Sequence, residues 1–428
     1  MGKTKKTDKV SIKSIIYASS GTVLEWYNFS IYAYIAVIIS TIFFPHGDEI
    51  VAIISSFGIF AASYLIRPLG GAFFGSLGDR IGRKKVLIFS IVLMGISVLI
   101  IGSLPTFHTI GYAAPILLTI AMLLQGFSMG GQFSGVQVML LEQAGENRRG
   151  LVSAFGTLVS GCGVLLSTLV LTILTSVLSK DAMLEWGWRL PFFLGALMSI
   201  YIIILQLKME ESPHFEKLKK NKSLAKAPVR ELFKYSKSKL AIAIFIIGYS
   251  SLAYYMIAVF LPTFLTSIVG LKSSTVMAIT TLSIGIYAFT APLWGYISDK
   301  VGRRPVLFTA VLIEAICIYP MFYLFIHGNV FLVCVALLIL MLPISAYAST
   351  CCSAVNEQFS TKERYSGGSI GINIGVAIGG LTPLISTELI HVTKSNMSPA
   401  ILLLIGAVII LYVIYKMKET SGKELEEV

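Results

Sequence analysis

The stretch Gly75-Ser-Leu-Gly-Asp79-Arg80-Ile-Gly82-Arg83-Lys84 returns 220 positions later as Gly295-Tyr-Ile-Ser-Asp299-Lys300-Val-Gly302-Arg303-Arg304. Each copy is a short basic loop between two long apolar runs, so each reads as the link joining a pair of membrane helices. Recurrence at about half the length of the chain makes the protein two similar halves. Two similar halves in a membrane read as a transporter.

Composition points the same way. The chain is 55% hydrophobic and 13% charged, with a mean hydropathy of +0.81, far from the balance of a soluble domain. About twelve apolar runs are long enough to cross a bilayer: 14–43, 50–77, 86–104, 113–141, 149–178, 189–207, 239–269, 275–297, 305–326, 330–355, 366–390 and 398–416. The fold class expected is therefore an all-α integral membrane protein with about twelve transmembrane helices in two pseudo-symmetric six-helix halves. Residues 1–207 form the first half, 208–238 a Lys-rich cytoplasmic connector too short to fold alone, and 239–428 the second half with a short cytoplasmic tail.

The net charge of +12 is a topology signal rather than a nucleic-acid footprint. Of the 34 Lys and Arg residues, 29 fall on one predicted face. Positive residues mark the cytoplasmic side, which places both termini inside; the Lys- and Ile-rich composition reads as bacterial, so the membrane expected is a bacterial inner (cytoplasmic) one. The first apolar run is too long for a cleaved signal and carries Glu25 in its middle. The five cysteines show no metal-ligand spacing and read as small packing residues. There is no nucleophile elbow and no phosphate loop, so no enzyme, metal or cofactor is expected.

The repeat extends past the loops. Glu142 precedes Arg149 by the same interval that separates Glu357 from Arg364. Asp79 and Asp299 can sit near helix amino-termini, where the dipole favours an anion. Arg83 can reach Glu142, and Arg303 can reach Glu357. Together with Arg80, these residues form an expected cytoplasmic gate that shuts one side in one state and separates in the other. Either copy alone is explained by topology and a tight turn; two copies with matching acids point to a conformational role.

The duplicated loop and the twelve-span layout resemble the major facilitator superfamily. Leu24-Glu25-Trp26-Tyr27-Asn28-Phe29, Leu65-Ile66-Arg67-Pro68-Leu69-Gly70-Gly71, Gln125-Gly126-Phe127-Ser128-Met129-Gly130-Gly131, Trp186-Gly187-Trp188-Arg189-Leu190-Pro191-Phe192-Phe193 and Glu210-Glu211-Ser212-Pro213 narrow the resemblance to the metabolite:proton symporters. Tyr254-Tyr255-Met256, Arg364-Tyr365-Ser366 and Gly380-Leu381-Thr382-Pro383 are most similar to the proline/glycine-betaine transporters. The likeness runs from about residue 14 to 420. It implies a symporter driven by the proton gradient, with a small-molecule substrate, protons and the lipid bilayer as its partners and a monomer as its working unit. Two positions depart from the family pattern: Asn28 stands where Asp is usual, and Gln132 where Glu is usual. The chain also ends at Val428, without the long coiled-coil tail of the osmosensing members, which leaves osmotic activation unexpected.

Depth along the helices assembles a site. At 1.5 Å per residue, Glu25 lies about 16 Å in, and Arg67 and Gln132 about 15 Å in. A lone charge at that level costs about 2.5–3.5 kcal/mol or more, so Glu25 and Arg67 are expected to pair. Pro68 is expected to bend its helix. Asn28 and Tyr32 share a face with Glu25. Tyr254 and Tyr255 lie about 21 Å along the seventh helix, with at most one of them expected to face the cavity. Tyr287 and Asn373 have comparable depth in the eighth and eleventh. An arginine for a carboxylate and aromatic rings for an ammonium suit a zwitterion. The leading function is uptake of a proline- or betaine-like zwitterion by proton symport with alternating access. The alternatives are an organic-acid symporter of the same family (dicarboxylate, keto acid or shikimate-like) and a membrane sensor that does not translocate.

Overall fold

In hydrocarbon every backbone N–H and C=O must find its partner within the protein, and a helix does this within one segment. The computed structural model is helical across the membrane-spanning segments it describes. It describes residues 12–45, 49–81, 83–133, 136–137, 148–208, 236–327, 329–359 and 364–423, with the backbone alone at 12–18, 49, 75–76, 78–81, 83 and 364–366. Among the described residues ten helices are long and apolar enough to cross a membrane, and a bent pair at the amino-terminal end makes an eleventh. The shorter Ala113–Met129 occupies the place of the fourth expected span.

In chain order, α1 is Ile12–Tyr34, resumed as Ala36–Phe43 after a bend of 61°. Helix α2 is Glu49–Leu65 continued by Arg67–Ile81, its regular run broken at Ile66, two residues before Pro68. There follow α3 (Arg83–Ser103), α4 (Ala113–Met129), α5 (Arg149–Val177) and α6 (Leu190–Leu207). The second half has α7 (Lys237–Tyr255), α8 (Ser273–Val301), α9 (Arg303–Ile326), α10 (Val330–Asn356), α11 (Arg364–Gly379, resumed as Thr382–Thr393) and α12 (Ser398–Lys416). Helix α7 continues through two π turns, Met256–Phe260 and Phe264–Ile268, either side of Leu261–Thr263. Pro262 has no N–H to give the preceding turn, and widened turns accommodate the missing bond. Thr266 donates to the Pro262 carbonyl at 2.9 Å.

The halves meet along two seams, α5 against α8 and α2 against α11, with α1 touching the first π turn of α7. The outer helices turn apolar side chains such as Leu197, Ile200, Ile316, Tyr319, Ile405 and Val408 away from the protein, as a lipid-facing surface requires. Most of the connector, residues 209–235, lies outside the described residues.

Lipid tails are as apolar as leucine, so helices in a membrane associate by close packing rather than by excluding water. The α2–α4 crossing shows how close. A Cβ on Gly126 would lie 1.9 Å from the Ser63 carbonyl oxygen, and one on Gly70 2.0 Å from that of Phe127. Gly58, on the same α2, has nothing within 4 Å of its added Cβ. Gly126→Val is therefore expected to cost about 1–3 kcal/mol or more of stability, read as a lowered melting temperature in detergent. Gly58→Ala should leave the melting temperature unchanged, and equal melting behaviour of the two variants would refute this account of the crossing.

Candidate transport site and gate

Helices α1 and α2 bring one acid and one base together at mid-depth. Arg67 Nη2 donates to Glu25 Oε1 at 3.1 Å, with side-chain exposures of 1% and 0%. Each charge would be costly alone at that depth, and pairing offsets much of the cost. The pair is not saturated: Glu25 Oε2, Arg67 Nε and Arg67 Nη1 find no hydrogen-bond partner among the described residues. The guanidinium also stands 5.3 Å from the centre of the Tyr64 ring. Tyr64 in turn donates its hydroxyl to that of Tyr255.

Tyr255 is one wall of a small central cavity of about 60 Å³ to which both halves contribute. Its aromatic residues include Trp26 from α1, Tyr254 and Tyr255 from α7 and Tyr287 from α8. Tyr254 holds them together, with ring centres 6.3 Å from Trp26, 5.4 Å from Tyr255 and 5.0 Å from Tyr287. Thr157 and Ser160 of α5, Ser250 and Ser251 of α7, and Cys351 and Cys352 of α10 supply small polar groups. Among the described residues no charged side chain lines the cavity. A charge-free box of ring faces favours a cation through the ring quadrupoles. Glu25 and Arg67 lie one layer behind it, linked through Tyr64 and Tyr255.

The two faces of the bundle differ. On the face opposite the termini a vestibule of about 880 Å³ opens between the second segment of α1, the end of α5 and the π turns of α7, with Lys180 and Lys272 in its lining. The basic face carries a dense polar cluster. Asp299 accepts from the backbone N–H groups of Gly150 at 2.7 Å and Leu151 at 2.9 Å, so a second-half carboxylate satisfies free donors at the start of first-half α5. Arg303 Nη2 donates to Asp299 at 2.8 Å and to Glu357 at 3.0 Å, and its Nε donates to Glu357 at 3.2 Å. The halves come so close that a Cβ on Gly295 would lie 2.5 Å from the Gly150 carbonyl oxygen.

The tail after α12 completes this cluster. Glu419 accepts from the backbone N–H of Arg303 at 3.0 Å and of Arg304 at 2.9 Å, capping α9. Thr420 donates its hydroxyl to Glu357 at 2.6 Å, and Arg149 donates to the Lys423 carbonyl at 2.8 Å. A first-half arginine, a second-half acid and the tail are thereby strapped together.

A family model described as Major Facilitator Superfamily matches residues 18–272 and 243–427. The chain belongs to the Major Facilitator Superfamily. It is a membrane transporter, not an enzyme. Relatives that cover nearly all of it include the glycine betaine/proline/ectoine/pipecolic acid transporter OusA of Dickeya dadantii, 33% identical over 97% of this chain and 84% of the relative. The proline/betaine transporter of Escherichia coli K12 is 32% identical over 97% and 85%, and the ectoine/proline transporter ProP of Corynebacterium glutamicum 33% over 96% and 86%. Among solved structures, the proton:xylose symporter XylE bound to a bromodeoxyglucose has a TM-score of 0.78 at 17% identity, covering 97% of both chains. The partially occluded inward open form of XylE from E. coli scores 0.77 at 16% identity, over 96% of this chain and 99% of that one. These likenesses establish the facilitator fold.

Several expected site residues of this facilitator lie elsewhere than the cavity lining. Asn28 packs on α6, where a Cβ on Gly195 would lie 2.0 Å from its Oδ1. Tyr32 donates to the Ser56 carbonyl at 3.0 Å. Gln132 accepts from Ser90 at 3.3 Å and abuts Gly21. Asn373 donates to the Gly130 carbonyl at 3.1 Å, across the halves. Tyr254 and Tyr255 both line the cavity, against the expectation of at most one, because it wraps round α7 through more than the ~100° between successive residues. The side chains of Asp79, Arg80, Arg83 and Arg364, and all of Glu142, lie outside the described residues. Of the expected gate, Asp299, Arg303 and Glu357 are joined, while Arg149 engages the tail.

Trp26, the α5 polar residues and the cysteines of α10 were absent from the expected site. Thr157, Ser160, Gly161 and Val164 fall at helical spacing on one face of α5, a signal the sequence does contain. Glu419 and Thr420 had no repeated counterpart to draw attention to them.

Burial works to raise the Glu419 carboxyl, but the backbone N–H groups of Ser421, Arg303, Arg304 and Thr420 outweigh it and hold the acid below its ordinary value of 4.5. A lowered folded-state value means the cap stabilises the protein above the unfolded value and loses that effect as pH falls through the lowered one. Glu419→Gln is expected to cost about 0.5–2 kcal/mol at neutral pH. Thermal melts should show this gap constant above about pH 5 and shrinking as pH falls below the ordinary glutamate range, until it is lost beneath the lowered folded-state value. A gap that persists unchanged in acid would rule out the carboxylate cap.

Proposed function

We propose that the protein imports a small zwitterion of the proline or betaine type by proton symport and alternating access. In this reading the basic face is cytoplasmic and the arrangement described is outward-facing, gated inside and open through the vestibule. The observation that carries it is the unsaturated Glu25–Arg67 pair, joined through Tyr64 and Tyr255 to a charge-free aromatic cavity. The printed names of the relatives, which are proline, betaine and ectoine transporters, support the substrate class.

The proposed cycle follows from charge. While Glu25 is ionised it occupies one edge of Arg67. A proton arriving through the vestibule neutralises Glu25 and frees that edge for the substrate carboxylate. The ammonium or quaternary ammonium end then lies among Trp26, Tyr254 and Tyr287, where ring faces attract a cation. Filling the cavity draws the halves together on the vestibule side and favours release of the Asp299 latch. Arg67 is the buried cation at this depth among the described residues, which suits one carboxylate rather than two.

The test is uptake of labelled proline, betaine and a dicarboxylate into proteoliposomes, with and without an inward proton gradient. Wild type should accumulate a zwitterion only with the gradient. Glu25→Gln should accumulate it to a clearly smaller gradient than wild type, and Arg67→Gln should lower zwitterion uptake by about tenfold or more, as loss of a charge-assisted bond does. Zwitterion uptake that ignores both the gradient and Glu25→Gln would leave the pair a structural brace and overturn the proton mechanism.

A further inference from the structure

A second acid lies buried at the level of the bilayer centre, in the other half of the molecule. Glu314 is the twelfth of the 24 residues of α9, about 16 Å from its basic end, and is 1% exposed. Tyr249 of α7 donates its hydroxyl to Glu314 Oε2 at 2.8 Å, while Oε1 has no partner among the described residues. Unlike Glu25, it is joined to no cation among the described residues.

We propose that Glu314 is a second proton-binding residue of the transporter, acting on the position of α7. The proposal rests on the proton-coupled reading above and adds a site to it. An ionised carboxylate buried without a cation is among the most costly groups a membrane protein can hold, so in this arrangement Glu314 carries its proton. The groups that face it are few. Helix α7 presents Tyr249 and α10 presents Tyr347, whose ring stands 5.3 Å from that of Tyr249. Helix α12, packed along α9, offers the buried apolar Leu403, Ala407 and Ile410. The turn that joins α8 to α9 carries Asp299 and Arg303, about 16 Å from Glu314 along α9.

The position couples this acid to substrate. Tyr249 is followed directly by Ser250 and Ser251, which line the cavity, and Tyr254 lies just over one turn further along the same helix. Tyr347 donates to the Ile246 carbonyl at 3.2 Å and is followed by Ala348, another lining residue. Movement of α7 on substrate binding changes the one hydrogen bond that Glu314 holds. A state that surrounds the carboxyl with more donors favours the ionised form, and the present one favours the neutral acid. One proton is taken up on the carboxylate in one state and given up in the other, with no other bond made or broken.

Glutamine copies the shape and neutrality of a protonated glutamate, so Glu314→Gln keeps a structural role and removes a proton-carrying one. In proteoliposomes with the membrane potential clamped, the substrate gradient at zero net flux grows about tenfold per proton carried for each unit of imposed pH difference. Wild type should reach about a hundredfold and Glu314→Gln about tenfold. A Glu314→Gln gradient equal to wild type overturns the proposal. Loss of all coupling in Glu25→Gln with wild-type behaviour in Glu314→Gln would keep the first reading and sink this one. Full coupling in Glu25→Gln with reduced coupling in Glu314→Gln would do the reverse. Infrared difference spectra of wild type with and without substrate give an independent check. The carbonyl band of a buried carboxylic acid, assigned through its shift in Glu314→Asp, should change when substrate binds; a band indifferent to substrate marks a static neutral acid and overturns the proposal.

Discussion

The arrangement of the whole molecule depends on one carboxylate. Asp299, at the end of the first helical hairpin of the second half, sits on the free N–H groups at the start of α5 in the first half. That contact holds the basic ends of the halves together, and the vestibule on the other face is the complement of this closure. A charge at a helix end contributes about 0.3–1 kcal/mol when exposed and up to ~2 when partly buried. Such a modest figure is what a latch needs. In the proposed cycle the interconverting states must lie within a few kcal/mol, and a contact much stronger than this would hold such a gate shut. Arg303, Glu357 and the tail add to the closure through the same few atoms, so in the proposed cycle the cluster would separate as a unit when Asp299 leaves α5.

The acids of the gate and of the core differ in how completely their oxygens are used. Every carboxylate oxygen of Asp299, Glu357 and Glu419 has a donor. In the core, two donors of Arg67 and one oxygen each of Glu25 and Glu314 have none among the described residues. A buried polar atom without a partner costs about 1–3 kcal/mol, so folded proteins keep few of them. Among the buried charged groups, the open positions on Glu25 and Arg67 lie one layer behind the cavity, which is where the proposed cycle needs a group that comes and goes.

The sequence made much of this legible, for reasons that differ from part to part. Length and apolarity found the spans because the bilayer fixes both. The Arg303–Glu357 contact was legible because the repeat supplied each residue with a counterpart. Counting rises along α1 and α2 sufficed for Glu25 and Arg67, since depth depends only on residue number. Rotation about a helix axis is different. In a membrane both the lipid side and the packed side are apolar, so the pattern that tells inside from outside in a soluble helix is weak. Asn28 and Tyr32 share a face with Glu25 by spacing, yet one packs on α6 and the other bonds to α2. Trp26, next to the acid, reaches the cavity instead. The tail contacts were hidden for another reason: Arg149 binds a backbone carbonyl, which any residue at position 423 supplies.

The amides at Asn28 and Gln132 fit this economy of charge. Both are fully buried, and in Asn28 neither polar atom of the amide has a partner among the described residues. An acid at either place would have to stay protonated or find a second cation. With amides there, the buried charges of the first-half core at this depth are one acid and one base among the described residues, and together they are neutral. In the proposed cycle a zwitterion brings no net charge, but its carboxylate takes Arg67 from Glu25. Glu25 would then be a buried anion without a cation, the most costly state available to it, unless it accepts a proton first. Neutrality at this depth thus requires one proton at Glu25 for each carboxylate bound. In that cycle the coupling at Glu25 follows from the scarcity of charge in the first-half core rather than from any dedicated relay.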